Sequence, residues 1–298
     1  MTDQGDTVPI DAALVGRLVA AQFPQWSACP VTPVDDGGWD NRAFRLGSEL
    51  VARLPSGVGY APQVPKEQRW LPILAPSLPL PVPEPLGHGA PGEGYPFSWS
   101  VYRWIPGEVA DRETIGDLAV FAADLAMFLR ALQRVHAADG PLFGAHSAHR
   151  GGPPAFYDDD LRRALDALGS RVPAGACLGI WEDALAQPYV EDPVWFHGDI
   201  AVGNLLVRDG ILAAVIDFGC AGVGDPACDL AIAWTLLDRD ARAVFRETLK
   251  PDAGMWNRGR GWALWKALIT LADDAPGTRR FRTAERALVE LLAEVAPG

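Results

Sequence analysis

Residues 194–219 read VWFHGDIAVGNLLVRDGILAAVIDFG, and this stretch constrains the fold more than any other. It is the one β-like island in a helix-rich carboxyl-terminal part. NLLV and ILAAVI are predicted to be two strands, the second almost wholly apolar and therefore buried. The turn Arg208-Asp209-Gly210 reverses the chain between them. This ribbon has to sit in a helical body. From Ile115 to Ala138 apolar residues recur at helical spacing, and further helices are predicted at 157–169, 179–187, 226–237, 239–249, 259–274 and 278–294.

The amino-terminal part has a different texture. Residues 10–24 predict an amphipathic helix capped near Asp11 and ended by Pro24. VTPV, RAFRLG and ELVARLP then alternate around the turns DDGGWDN and Gly47-Ser48, as a β-meander does. A helix is expected from about Val58 to Trp70, with Pro62 and Pro65 tolerable in its first turn. The proline-rich run LPILAPSLPLPVPEPLG reads as an extended connector, or alternatively as a PxxP partner motif. FSWSVYRW predicts one more strand, and the chain then turns at a hinge near 103–107. The expected division is residues 1–104 and 105–298, which suits 298 residues better than one domain does.

Composition narrows the function classes. Lys and Arg number 26 against 38 Asp and Glu, a formal charge of −12. A nucleic-acid binder that works by neutralising phosphates is excluded on that balance. Cys29, Cys177, Cys220 and Cys228 are too few and too scattered for a disulfide framework, and no CxxC pair offers a zinc site. No basic, apolar leader opens MTDQGDTVPID, and no apolar run reaches the roughly 20 residues of a membrane span. A cytoplasmic, soluble protein with no evident obligate protein partner is the expectation.

The chemistry is predicted at the mouth of the ribbon. A carboxylate at the end of an apolar strand is costly unless it is paired or binds a metal. Asp199, Asn204 and Asp217 are expected to gather there, and oxygen ligands of this kind suit Mg²⁺. Taken singly, each could equally be a capping residue at a turn. Asp225 and Asp229, in GDPACDLA, read as helix-start residues.

HGDIAVGN followed by IDFG, with GVGDPACDLA after them, resembles the motifs of the aminoglycoside phosphotransferase family, and the substituted strand residue noted below is similar to macrolide-kinase-like members. The resemblance implies an α+β, bilobal protein-kinase-like fold with a small antiparallel-sheet nucleotide lobe and a larger, mainly helical catalytic lobe. It implies that Asp199 is the catalytic aspartate, and that Asn204 and Asp217 hold Mg²⁺ on the phosphates of ATP or GTP. His197 would be structural. Gly37 and Gly38, with Asn41 beside them, would cover the phosphates, although a plain hairpin turn reads the same way. The family places a lysine on the third strand. Here that position offers Arg53, expected to pair with Glu67. Tyr102 would stand behind the adenine, and the backbone of Arg103 and Ile105 would bond it.

The implied acceptor is a hydroxyl of a small molecule, first of all an antibiotic such as an aminoglycoside or macrolide. Asp158 and Asp159 could form an acidic lip for an amine-bearing acceptor, with Asp273 and Asp274 facing the same cleft; capping explains the first two equally well. Trp256, Trp262 and Trp265 read as core, or as the wall of a wide apolar pocket. Other readings are a kinase of a choline- or homoserine-like metabolite, a non-catalytic nucleotide-binding module, and a metal-dependent hydrolase built on His197, Asp199 and Asp217.

Overall fold

The computed structural model describes residues 9–34 and 40–294. Their contacts divide into two compact units. One comprises the residues up to Pro76, Pro81–Pro106 and Ile216–Gly219; the other comprises Ser77–Leu80, Gly107–Val215 and the residues from Cys220 onward.

The first unit opens with α1 (Ala12–Gln22), capped by the Asp11 carboxylate on the Leu14 amide. The strands β1 (Val31–Pro33), β2 (Asn41–Leu46), β3 (Leu50–Pro55), β4 (Pro85–Gly89) and β5 (Trp99–Arg103) form one antiparallel sheet in the order β1-β2-β3-β5-β4. The inward residues of β2, β3 and β5, among them Phe44, Leu46, Ala52, Leu54 and Val101, pack with Leu14, Val15 and Leu18 of α1 into a dry core. Between β3 and β4 lies α2 (Gln63–Leu74). The expected helix ended at Trp70, but α2 runs on through Pro72 to Leu74. Buried Leu71 and Leu74 explain the extension, because their burial offsets the hydrogen bond that proline cannot make. The proline-rich run is part helix, part connector and part β4.

In the second unit β6 (Glu108–Val109), β8 (Leu205–Arg208) and β9 (Ile211–Val215) form a small sheet, while β7 (Val194–Phe196) pairs with β10 (Gly222–Gly224). The helices are α3 (Leu118–Arg134), α4 (Asp158–Leu168), α5 (Ala174–Leu185), α6 (Ile232–Thr235), α7 (Arg239–Leu249), α8 (Ala253–Asp273) and α9 (Arg279–Ala293). The expected helix 226–237 is instead a 3-10 segment, Pro226–Ala231, followed by the single turn of α6.

The central element is α8, packed by α4, α5, α9 and the 3-10 segment. Its glycines make that crowding possible. A Cβ on Gly261 would stand 2.5 Å from the Ala184 Cβ, inside contact distance. Within this unit β8 and β9 are largely buried, as an apolar ribbon requires, with Leu212, Ala214 and Val215 at 2% exposure or less. Among the described residues no helix is long and apolar enough to cross a membrane.

Candidate active site

In the sheet unit the site grows from three elements. Arg53 is the fourth residue of β3, Glu67 lies on the buried face of α2, and Asp217 follows β9 in the segment Ile216–Gly219. Arg53 Nη2 sits 2.9 Å from Asp217 Oδ2, and its Nη1 sits 3.5 Å from Glu67 Oε1. Glu67 Oε1 also accepts the Phe218 amide at 2.9 Å, and Oε2 accepts the Tyr102 hydroxyl at 2.5 Å. One guanidinium therefore bridges two carboxylates, each facing a different nitrogen of its planar fork.

Burial lowers the Arg53 pKa, but Asp217 and Glu67 more than offset this and raise it above the ordinary arginine value. Burial pushes the Glu67 pKa up, against Arg53, and it pushes the Tyr102 phenol well up. Asp217 has φ +66°, a left-handed conformation that costs an L-residue energy and that the surrounding bonds hold in place.

Of the other residues expected on this side, Asn41 is buried in β2 and its amide lies 3.4 Å from Gln63 Oε1. The Arg103 amide donates to the Glu84 carbonyl, so only its carbonyl is open to a base; the Ile105 amide has no partner among the described residues. Gly37 and Gly38 lie outside the described residues.

In the helical unit the turn His197-Gly198-Asp199 follows β7. Gly198 has φ +85°, and a Cβ there would meet the Cys220 carbonyl oxygen at 2.6 Å. Asp229 fixes the turn. Its Oδ2 accepts the His197 amide at 2.8 Å and its Oδ1 the Gly198 amide at 2.7 Å. Asp229 was expected to be a helix-start residue. Its carboxylate instead reaches back 31 and 32 residues in sequence, while Asp225 does cap its helix and also pairs with buried Arg258 at 2.7 Å. His197 is fully buried and its Nδ1 accepts the Asp199 amide at 3.2 Å, which occupies that nitrogen.

The Asn204 amide donates to both the backbone carbonyl and Oδ2 of Asp199, each at 2.9 Å. Lys266 of α8 approaches the other oxygen, Oδ1, at 3.3 Å. Burial alone would raise the Asp199 pKa, but Lys266, Arg150 and His197 hold it down to about 2. Arg150, Gly198, Asp199, Ile200, Cys228, Ala231, Trp262, Trp265 and Lys266 line a small open recess.

The structure thus brings Arg53, Glu67, Tyr102 and Asp217 together in one unit and Asp199 with Asn204 in the other. Asp158, Asp159 and Asp273 do not line the recess. Asp158 is taken by Arg162 at 2.8 Å and by the Trp181 indole at 2.8 Å, while Asp159 and Asp273 are exposed. Lys266, Arg150 and Asp229 were missed. Lys266 carried one signal, being one of only three lysines in the chain, set in the mostly apolar run WALWKALITLA.

For a divalent cation, no group of three or more His, Cys, Asp or Glu side chains stands ready among the described residues. The donors that fit are fewer and harder. With its amide group spent on Asp199, the Asn204 side-chain oxygen has no partner among the described residues, and Asp217 supplies a carboxylate. Each, in its own unit, is a hard oxygen donor of the kind that Mg²⁺ accepts.

The model of the phosphotransferase enzyme family matches residues 31–268. The chain belongs to this family. Among curated relatives, an aminoglycoside 3'-phosphotransferase of Escherichia coli is 43% identical over 51 residues, 17% of this chain and 19% of the relative. A second one from Escherichia coli is 28% identical over 144 residues, 47% of this chain and 53% of its own length. The chain therefore spans about half the length, or less, of these curated family members.

Two solved structures show how widely the fold is shared. The GDP complex of aminoglycoside 2'-phosphotransferase-IIIa superposes with a TM-score of 0.69 at 18% identity, covering 96% of this chain and 99% of that one. The macrolide 2'-phosphotransferase of Brachybacterium faecium does so with a TM-score of 0.58 at 23% identity, covering 94% and 98%. The family fold is the expected α+β, protein-kinase-like one.

Proposed function

We propose that this chain is a small-molecule O-phosphotransferase, which moves the γ-phosphate of ATP or GTP to an acceptor hydroxyl. The observation that carries the reading is Asp199. It is held ionised by Lys266 and Arg150, oriented by Asn204, and presented on a turn that Asp229 anchors.

A carboxylate with a pKa of about 2 is a weak base toward an alcohol. Its work is to accept the hydrogen bond of the acceptor hydroxyl and aim the oxygen in line, taking the proton late, as a loose phosphoryl-transfer transition state permits. Arg53, kept in register by Glu67, contributes positive charge to the nucleotide phosphates. Asn41 and the Gly37–Gly38 turn belong to the same nucleotide side, with Tyr102, the Arg103 carbonyl and the Ile105 amide at the base. Asn204 and Asp217 would hold Mg²⁺, which when bound neutralises charge on the phosphate oxygens.

The acceptor class to which the names of the relatives point is an antibiotic. The metabolite alternative is favoured by a specific observation: Lys266 and Arg150 stand beside Asp199, where an amine-rich antibiotic would call for carboxylates. Among the described residues no disulfide joins the four cysteines, which suits the cytoplasm.

The test is nucleotide consumption with ATP and GTP separately, against aminoglycosides, macrolides and small hydroxylated metabolites, with product mass as the readout. Asp199→Ala should abolish transfer and leave nucleotide affinity within about twofold. Full turnover by Asp199→Ala would remove the proposal, as would phosphate release that needs no acceptor.

A further inference from the structure

The recess beside Asp199 has a one-sided chemistry. Asp199 is the single acid on its lining, and Lys266 already faces it at 3.3 Å. The second cation, Arg150, has no ion pair and no side-chain hydrogen bond among the described residues. Its guanidinium lies only over the Trp265 ring, 5.8 Å from the centroid. Burial works to lower the Arg150 pKa, but the surrounding groups, Asp199 among them, raise it, so it stays charged. Cys228, also on the lining, is neutral, because burial pushes its thiol well up.

Both indoles of the lining, Trp262 and Trp265, are buried, and both Nε1–H donors lack an acceptor among the described residues. Tyr157 packs on Trp265 with centroids 4.0 Å apart and closes the aromatic wall. Arg150 is half-buried and opens on the recess, so a guanidinium with no acceptor from the described residues is placed to take a ligand there. The ligand that fits is an oxyanion, because arginine matches carboxylate and phosphate oxygens with two parallel bonds.

We infer that the acceptor carries an oxyanion, carboxylate or phosphate, next to the hydroxyl that is phosphorylated, and that Arg150 and Lys266 bind it against the Trp262–Trp265 wall. This rests on the phosphotransferase reading and narrows it. On binding, the oxyanion shares Lys266 with Asp199 and leaves an Asp199 oxygen for the hydroxyl. An anionic antibiotic and an anionic metabolite both satisfy the site, whereas a polycation meets Arg150 with like charge.

The test has a binding arm and a turnover arm. Mandelate, mandelamide and 2-amino-1-phenylethanol share a ring and a hydroxyl and carry a negative, no, and a positive charge. By calorimetric titration the intact protein should bind mandelate at least roughly tenfold more tightly than either other probe, with that preference lost in Lys266→Met and in Arg150→Gln. Arg150→Lys, which keeps the charge, should retain part of it. Equal binding of the three, or no binding of mandelate, overturns the inference.

In the turnover arm, hydroxy acids and sugar phosphates are compared as acceptors, which separates the two sources of oxyanion. The Lys266 and Arg150 variants should raise acceptor KM for anionic acceptors. A fall in kcat that is alike for all acceptors, with KM unchanged, would mean that the cations serve the transferring phosphate, and would also overturn it. Nucleotide consumption with no acceptor at all would sink the phosphotransferase reading instead, and would leave the charge preference in binding standing.

Discussion

The Asp229 carboxylate accepts the Gly198 amide at 2.7 Å, and its other oxygen accepts the His197 amide, so one buried side chain holds both peptide groups that precede Asp199. Burial raises the Asp229 pKa, which shows how fully this acceptor is enclosed. In Asp229→Ala two buried N–H groups lose their acceptor, at about 1–3 kcal/mol each. Urea unfolding should register that loss. In the fraction that stays folded, kcat should fall at least roughly tenfold while nucleotide KM changes little, since a misplaced Asp199 affects alignment rather than donor binding. A folded Asp229→Ala protein with unaltered kcat would mean that the anchor does not matter to catalysis.

Arg53 answers to two carboxylates, and the conservative variant exposes that geometry. Arg53→Lys keeps the charge but replaces the two fork nitrogens that face Asp217 and Glu67 by a single ammonium, so nucleotide affinity should drop several-fold with modest loss of stability. Arg53→Met leaves both acids without their cation, and breaking such a buried pair costs about 3–5 kcal/mol. Fluorescence titration with a nucleotide analogue and thermal melts read the two effects separately. If Lys and Met variants behaved alike in both, the bridge would be incidental.

Gly198 offers a backbone test. At φ +85° an L side chain is strained, and its Cβ would meet the Cys220 carbonyl oxygen at 2.6 Å. Gly198→Ala should therefore move the Asp199 turn and lower kcat by more than Asp229→Asn does, because the asparagine still offers one acceptor oxygen. Side-by-side steady-state kinetics decide the order; the reverse ranking would place the constraint in the hydrogen bonds rather than in the turn.

The legible parts of the sequence were those where a residue type contradicts its surroundings. Asp217 ends an apolar strand, and Arg53 stands where a lysine was expected, so both could be read locally. Glu67 could be paired with Arg53 because the family resemblance sets a helix glutamate against the strand cation. Asp229 could not be read, since an aspartate in the first turn of a helix favours the helix start as readily as it anchors a distant turn; its two amides lie 31 and 32 residues away. Arg150 sits in irregular backbone among glycines, with no period to reveal which way it points. Asp158 misled for the opposite reason, because an acidic run looks like a lip until Arg162 and Trp181 are seen to satisfy it.

Lys266 and Asp199 give a pH signature with a fixed sign. Burial alone would raise the Asp199 pKa, but Lys266 and Arg150 bring it to about 2, below the ordinary 3.8. A folded value below the unfolded one means that the unfolded chain binds the proton more readily as pH falls. The stability from this ionised carboxylate is present above pH 3.8 and is lost as pH drops toward 2. In Lys266→Met the nearest cation is gone and the folded value rises, so less stability depends on ionisation. Other carboxylates titrate in the same range, but they are common to both proteins and cancel in the difference. The stability gap between wild type and Lys266→Met should therefore be widest near pH 6 and close as the pH is lowered through 4 toward 2, in urea unfolding at constant ionic strength. A gap that stayed constant over that range would assign the effect of Lys266 to its packing on α8 and not to its charge on Asp199.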